Sequence, residues 1–141
     1  WLKEFSLDFS EQFGLTESPL DIQVETDACN INFDKNHLKQ IIDNLCSNAL
    51  KYGKQGELTA TISIQTGINN INQQTFISII DNGTGIDETN AQKIFEPFFT
   101  TSASGTGLGL YISSQLAALN HAKLSYNRHA NGGSCFTLLF T

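Results

Sequence analysis

Four short clusters carry residue types that can hold an anion, a metal or a heterocycle: NLCSNALKY (44–52), DNGTGI (81–86), IFEPFFTTSASG (94–105) and SGTGLGL (104–110). In the first, Asn44, Asn48 and Lys51 fall on one flank of a helix at about 100° per residue, with Tyr52 between that flank and the apolar one. Two carboxamides there are either a solvated surface pair or an oxygen site for Mg²⁺, which takes oxygen ligands alongside water and phosphates. Lys51 would then add a phosphate contact. In the second cluster Asp81 ends an apolar run, where a carboxylate loses water and requires a donor. It is either a local turn cap or an acceptor for the amino group of adenine, with Gly83 and Gly85 letting a flat ring approach the backbone. Guanine presents a carbonyl oxygen at that place, so acceptor would face acceptor.

The third cluster gathers Phe95, Phe98 and Phe99 around Pro97 and then turns abruptly to small polar residues. These aromatics are either ordinary core residues ahead of a surface loop or the anchor for one end of a moving one. The fourth places Gly105, Gly107 and Gly109 on alternate positions ahead of a helical stretch, although glycine costs about 1 kcal/mol per helical position against alanine. A P-loop needs Lys and Ser or Thr after the glycines, and the dinucleotide fingerprint needs glycine at 110, which is Leu110. Neither pattern is met. What remains is a helix start whose bare amides can receive phosphate oxygens, with Gly105 and Gly107 able to hinge the loop before it.

These clusters need a frame to hold them. Asp34 can cap a helix over 34–52, in which Leu38, Ile41, Ile42, Leu45 and Ala49 recur at helical spacing. A strand is expected over 21–26. Residues 57–66 alternate, with Leu58, Ala60, Ile62 and Ile64 on one side and Thr59, Thr61, Ser63 and Gln65 on the other, as in a strand with one wet face. A polar loop, GINNINQQ, leads to the apolar run TFISII (75–80). A second helix is expected over Leu110–Leu119, followed by a hairpin of 122–129 and 134–140 around Asn131-Gly132-Gly133. Strands with one wet face and helices between them predict an α+β, two-layer α/β sandwich, with a mixed, mostly antiparallel sheet and helices on one face. An all-parallel sheet would need strands apolar on both faces.

At 141 residues the chain fits one domain with a real core. Residues 1–20, with Trp1, Phe5, Phe9 and Phe13 four apart, read as a linker or the start of the domain, and 21–141 as the domain proper. Three cysteines far apart support neither a disulfide framework nor a metal knuckle. A net charge of -6 without a basic cluster argues against nucleic acid as a partner. No apolar run is long enough to cross a bilayer, so the piece reads as soluble and without direct membrane contact. A cytoplasmic location is expected, either alone or as the cytoplasmic part of a membrane-bound chain. The absence of methionine, position 1 included, suggests an excerpt of a longer chain.

In this order, NLCSNALKY, DNGTGI, FEPFF and GTGLGL resemble the asparagine, first glycine, phenylalanine and second glycine boxes of sensor histidine kinases. Their ATP-binding catalytic domain belongs to a wider group with gyrase-type, Hsp90-type and MutL-type ATPases. The resemblance covers about residues 30–141 and is nearest to the short-lid nitrogen-regulation and type IV pilus sensor kinases. It implies the Bergerat fold and the cofactors ATP and Mg²⁺. By position it makes Asn48 the Mg²⁺ ligand, puts Asn44 and Lys51 near the phosphates and Tyr52 beside the nucleotide, and makes Asp81 the adenine acceptor with Gly83 and Gly85 under the base. Ile86, Phe95, Thr100 and Thr101 join the nucleotide-contacting set, and Gly105, Thr106, Gly107, Leu108 and Gly109 close the lid over the phosphates.

In the ATPase relatives the residue four before the metal-binding asparagine is a water-activating glutamate. Here it is Asn44, which cannot act as a general base. The resemblance therefore implies transfer of the γ-phosphoryl group to a histidine rather than to water. His37, His121 and His129 lack the acidic neighbour of a phosphoacceptor, which is expected in dimerisation helices upstream of Trp1. A response regulator receiver domain is the implied downstream partner. Short-lid relatives often carry lysine directly after FFTT; Ser102 stands here, so the lid is expected to lack a cation.

Overall fold

The computed structural model describes residues 20–24, 31–52, 62–101, 105–130 and 132–141. The expectations for residues 1–19, for the end of the first strand and for the first half of the 57–66 strand lie outside these.

Strand β1 (Leu20–Val24) leads to helix α1 (Lys35–Tyr52), then to strands β2 (Ile62–Ile68) and β3 (Thr75–Asp81). A four-residue helix α2 (Glu88–Ala91) and helix α3 (Gly109–Leu119) precede the hairpin of β4 (Ala122–Arg128) and β5 (Ser134–Phe140). The strands form one sheet in the order β1-β2-β3-β5-β4. Among the described strands only β1 and β2 run parallel, and they are joined through α1, the kind of crossover that parallel neighbours require. All other pairs are antiparallel, so the sheet is mixed and mostly antiparallel as expected.

Helix α1 starts where the sequence places it. Asp34 Oδ1 accepts the amides of Asn36 and His37 at 2.8 and 3.0 Å, and the His37 amide is the main reason its carboxyl titrates below the usual carboxylate range. The apolar stripe then buries Ile41, Ile42, Leu45, Cys46 and Ala49 in one core with Ile62, Ile64, Ile79, Phe136 and Leu138 of the sheet. Burial pushes the Cys46 thiol up to about 12, so it is an inert apolar filler.

Helix α3 lies antiparallel to α1, and an asparagine bridge secures each end of the pair. At one end Asn120 Oδ1 accepts the Asp34 amide at 2.9 Å, while its Nδ2 meets His37 Nδ1 at 3.0 Å. At the other, Asn44 Nδ2 donates to Ser113 Oγ at 3.0 Å and to the Gly109 carbonyl at 3.3 Å.

Three details depart from the sequence reading. Strand β2 continues through Gly67 and Ile68, because the ladder with β3 runs from Ile62 opposite Asp81 to Ile68 opposite Thr75. The turn beyond is closed by asparagines: Asn69 Oδ1 accepts the Ile71 amide and Asn72 Oδ1 the Gln74 amide. Helix α2 has no buried residue and therefore no periodicity to reveal it; its start is set by Asp87, which accepts the Asn90 amide. Helix α3 begins at Gly109, one residue before the expected Leu110.

Alternation along β3 positions the site. Ile77 and Ile79 enter the core, and Asp81 follows on the same face, toward the helices, at the end of the strand. Ile64 is 0% exposed and Ile71, in the turn, 95%. Ile64→Ala is expected to lower stability by about 2–5 kcal/mol, and Ile71→Ala to change it by less than about 0.5 kcal/mol, in urea denaturation.

Candidate functional site

A cavity of about 620 Å³ opens where the end of β3 meets α1 and the start of α3. That is within the usual range of about 300–1,000 Å³ for small-molecule sites. Asn48 and Lys51 reach it from α1, and Asp81, Gly85 and Ile86 from β3 and the loop beyond. Thr100, Thr101, Gly105, Thr106, Gly107 and Gly109 line it from the segment leading into α3. Residues far apart in sequence thus converge on one space. Asn44, Gly83, Phe95 and Leu108 are not among its lining residues. Tyr52 closes α1, and its side chain lies outside the described residues.

Asp81 is a carboxylate only 7% exposed, a placement that is costly unless it is well bonded. Its Oδ1 accepts the amide of Gly83 at 2.9 Å and that of Ser134 at 3.1 Å. The Gly83 bond is the turn cap read from sequence. The Ser134 bond comes from the start of β5, 53 residues along the chain, and was not legible. Oδ2 makes no hydrogen bond among the described residues, leaving an acceptor oxygen on a residue of the cavity wall. Behind it, Gly133 packs so closely that an added Cβ would lie 2.0 Å from the Asp81 carbonyl oxygen. The paired glycines at 132–133, more than the hairpin turn itself requires, were the signal for this contact; the sequence reading took them as turn only.

On α1 the two asparagines part company. Asn48 is half-buried and lines the cavity. Asn44, expected near the phosphates, instead spends its amide on the Gly109 carbonyl and on Ser113, a polar side chain that is 0% exposed. The cause lies in the facing helix, whose small Ser113 admits the carboxamide and needs a partner for its own hydroxyl. Asn44 therefore acts on the site through α3, fixing the turn that contains Gly109.

The aromatic cluster is also divided. Phe95 packs edge-to-face on Phe136 at 6.4 Å, and Phe99 lines the cavity. Phe98, expected to crowd with them, is instead 73% exposed, and its backbone takes φ +66°. A bulky residue rarely adopts that conformation. Here it is held by a clasp: the Phe98 amide donates to the Gly107 carbonyl at 2.9 Å. Gly107 itself has φ +73°, and a Cβ on it would lie 2.4 Å from the Phe98 carbonyl carbon. At Gly107, expected as a flexible hinge, the structure shows a tight contact that pins the two ends of the 99–106 loop together. Gly109 differs, with nothing within 4 Å of the place its Cβ would take.

Gly109 and Leu110 line the cavity at the start of α3, where free amides and the helix dipole favour an anion. Among the described residues no group of three or more His, Cys, Asp or Glu could hold a metal. None of His37, His121 and His129 lines the cavity.

Comparison with known proteins agrees with this architecture. The family described as histidine kinase-, DNA gyrase B-, and HSP90-like ATPase matches residues 33–141. Sensor protein kinase PilS of Pseudomonas aeruginosa is 31% identical over 140 residues, which cover 99% of this chain and 26% of that protein. Signal transduction histidine-protein kinase AtoS of Escherichia coli is 39% identical over 118 residues, 83% of this chain and 19% of that one. The chain therefore spans about a quarter or less of these relatives. The solved catalytic domain of histidine kinase ThkA matches with a TM-score of 0.77 at 25% identity, covering 99% of this chain and 92% of that one.

The clasp makes two neighbouring glycines behave oppositely. Gly107→Ala is expected to destabilise the fold by about 1–3 kcal/mol or more. Gly109→Ala, at an open helical position, is expected to stabilise it by up to about 1 kcal/mol. Urea midpoints of the two variants on opposite sides of the wild-type value are the expected result; coincident midpoints would contradict the clasp.

Proposed function

The chain belongs to the histidine kinase-, DNA gyrase B-, and HSP90-like ATPase family, and we propose that it is the ATP-binding catalytic part of a sensor histidine kinase, formed by residues 21–141 with 1–20 as a linker or the start of the domain. The observation that carries the nucleotide assignment is Asp81. Two backbone amides hold one oxygen of this nearly buried carboxylate, and the other is left as an acceptor on the cavity wall. An adenine amino group supplies the missing donor; guanine places a carbonyl oxygen there instead. A bond to a charged group is worth about 1.5–3 kcal/mol, enough to select ATP over GTP by about tenfold or more.

From the base subsite the triphosphate extends toward Asn48, Lys51 and the start of α3. Asn48 offers one oxygen to Mg²⁺, and the ion, when bound, offsets negative charge on the phosphates. Backbone amides near Gly107 and Gly109 receive phosphate oxygens, and Thr100, Thr101 and Thr106 line the same wall. With these contacts the chain's part in catalysis is to hold the γ-phosphoryl group in line for attack.

Transfer to histidine, rather than to water, follows from what is missing. The water-activating position is Asn44, and its amide is already committed to Gly109 and Ser113. The receiving histidine is assigned to dimerisation helices upstream of Trp1, and the onward acceptor to a response regulator receiver domain. The proposed place of work is the cytoplasm, in a soluble kinase or as the cytoplasmic part of a membrane-bound sensor. No described helix is long and apolar enough to cross a membrane. With a net charge of -6, nucleic acid is not a partner.

Calorimetric titration is expected to show Mg-ATP binding at least about tenfold tighter than Mg-GTP, with the preference lost in Asp81→Ala. Equal affinity for the two nucleotides would remove the Asp81 assignment. In a second test, the chain mixed with dimerisation helices and Mg-ATP should label a histidine on those helices. Asn48→Ala should abolish the labelling, and labelling that persists would remove the metal-ligand role. Sustained ATP turnover by the chain alone would point to hydrolysis instead.

A further inference from the structure

We propose that Tyr126, assisted by Arg128, is a positioning residue for the base subsite, holding the Thr84–Ile86 backbone in its nucleotide-binding shape from the far side of the cavity wall. The inference rests on the adenine assignment above. Thr84, Gly85 and Ile86 all line the cavity, whereas Tyr126 and Arg128 do not. This loop belongs to no strand or helix. Among the described residues its backbone makes no hydrogen bond to another backbone group.

Side chains from β4 hold it instead. The Ile86 amide donates to Tyr126 Oη at 2.8 Å, and the same hydroxyl donates back to the Ile86 carbonyl at 3.4 Å. Two residues along the strand, Arg128 Nη2 donates to the Thr84 carbonyl at 3.0 Å. Between these points Gly85 rests on the hairpin turn, where a Cβ would lie 2.8 Å from the Gly132 carbonyl oxygen. Tyr126 is in turn fixed by its ring, tilted against Phe136 with centroids 5.2 Å apart, and Phe136 lines the cavity. One phenol thus satisfies both backbone groups of Ile86, which would otherwise be free to turn where a flat base must lie. The 3.6 and 2.0 residue periodicities carry no trace of this bond, because it spans 40 residues.

Tyr126→Phe keeps the ring against Phe136 and removes only the hydroxyl. Hydrogen exchange of the Ile86 amide in the unliganded chain is expected to accelerate about tenfold or more, with core amides such as Ile79 unchanged. Kd for ATP and for ADP is expected to rise by a common factor of about five to ten, since the contact serves the base and not the phosphates. Unchanged Ile86 exchange would overturn the proposal. So would equal acceleration at Ile79, which marks general destabilisation, an ATP affinity within about twofold of wild type, or a loss confined to ATP with ADP unaffected. Failure of the adenine assignment is distinguishable: the unsubstituted chain would then bind ATP no tighter than GTP, and this proposal would fall with it.

Discussion

A carboxylate at the end of a buried strand organises this molecule. Water is largely excluded from Asp81, so its charge must be met by oriented donors, and the chain supplies them from two directions: the turn that follows β3 and the start of β5. Satisfying the second donor brings β5 beside β3 and leaves no room for a side chain at Gly133. The helix layer covers the same face, with the apolar stripe of α1 packed on Ile64 and Ile79. The cavity is what remains where that layer stops short of the strand end.

Much of this was legible because it is periodic. The stripe from Leu38 to Ala49, the alternation through Ile62 and Ile64 and the apolar run into Asp81 each declare an element and the face it buries. The four clusters were legible for a different reason: residue types such as Asn in mid-helix, or glycine at a helix start, are locally unfavourable and imply another use. What escaped is what joins elements. Asn44 reads as a polar flank residue until α3 places Ser113 opposite it. Phe98 reads as core until the Gly107 carbonyl claims its amide and turns its side chain outward. Gly133, Ser134 and Tyr126 lie on a hairpin whose pattern shows only pairing, and their value depends on where β3 ends.

The two asparagine bridges show how polar groups specify the packing of apolar helices. Of the residues in α3, Ser113 and Ala117 are buried, and Leu110 and Leu116 are partly buried against the core. Asn44 and Asn120 fix the first and last turns of this helix against α1. The amides at the start of α3 are thereby held at a set distance from Asn48, which lies one turn beyond Asn44 on the same flank.

The Ser134 amide reaches Asp81 across 53 residues of chain, and the strand that carries it is the last of the described strands in chain order. Contacts of such sequence separation form late, because closure of the intervening loop must come first. During synthesis, β3 and both major helices are complete while the aspartate still lacks its second donor. The carboxylate is therefore fully held only once β5 has paired with β3. A molecule in which β5 has not yet paired presents a carboxylate that has not yet been aimed.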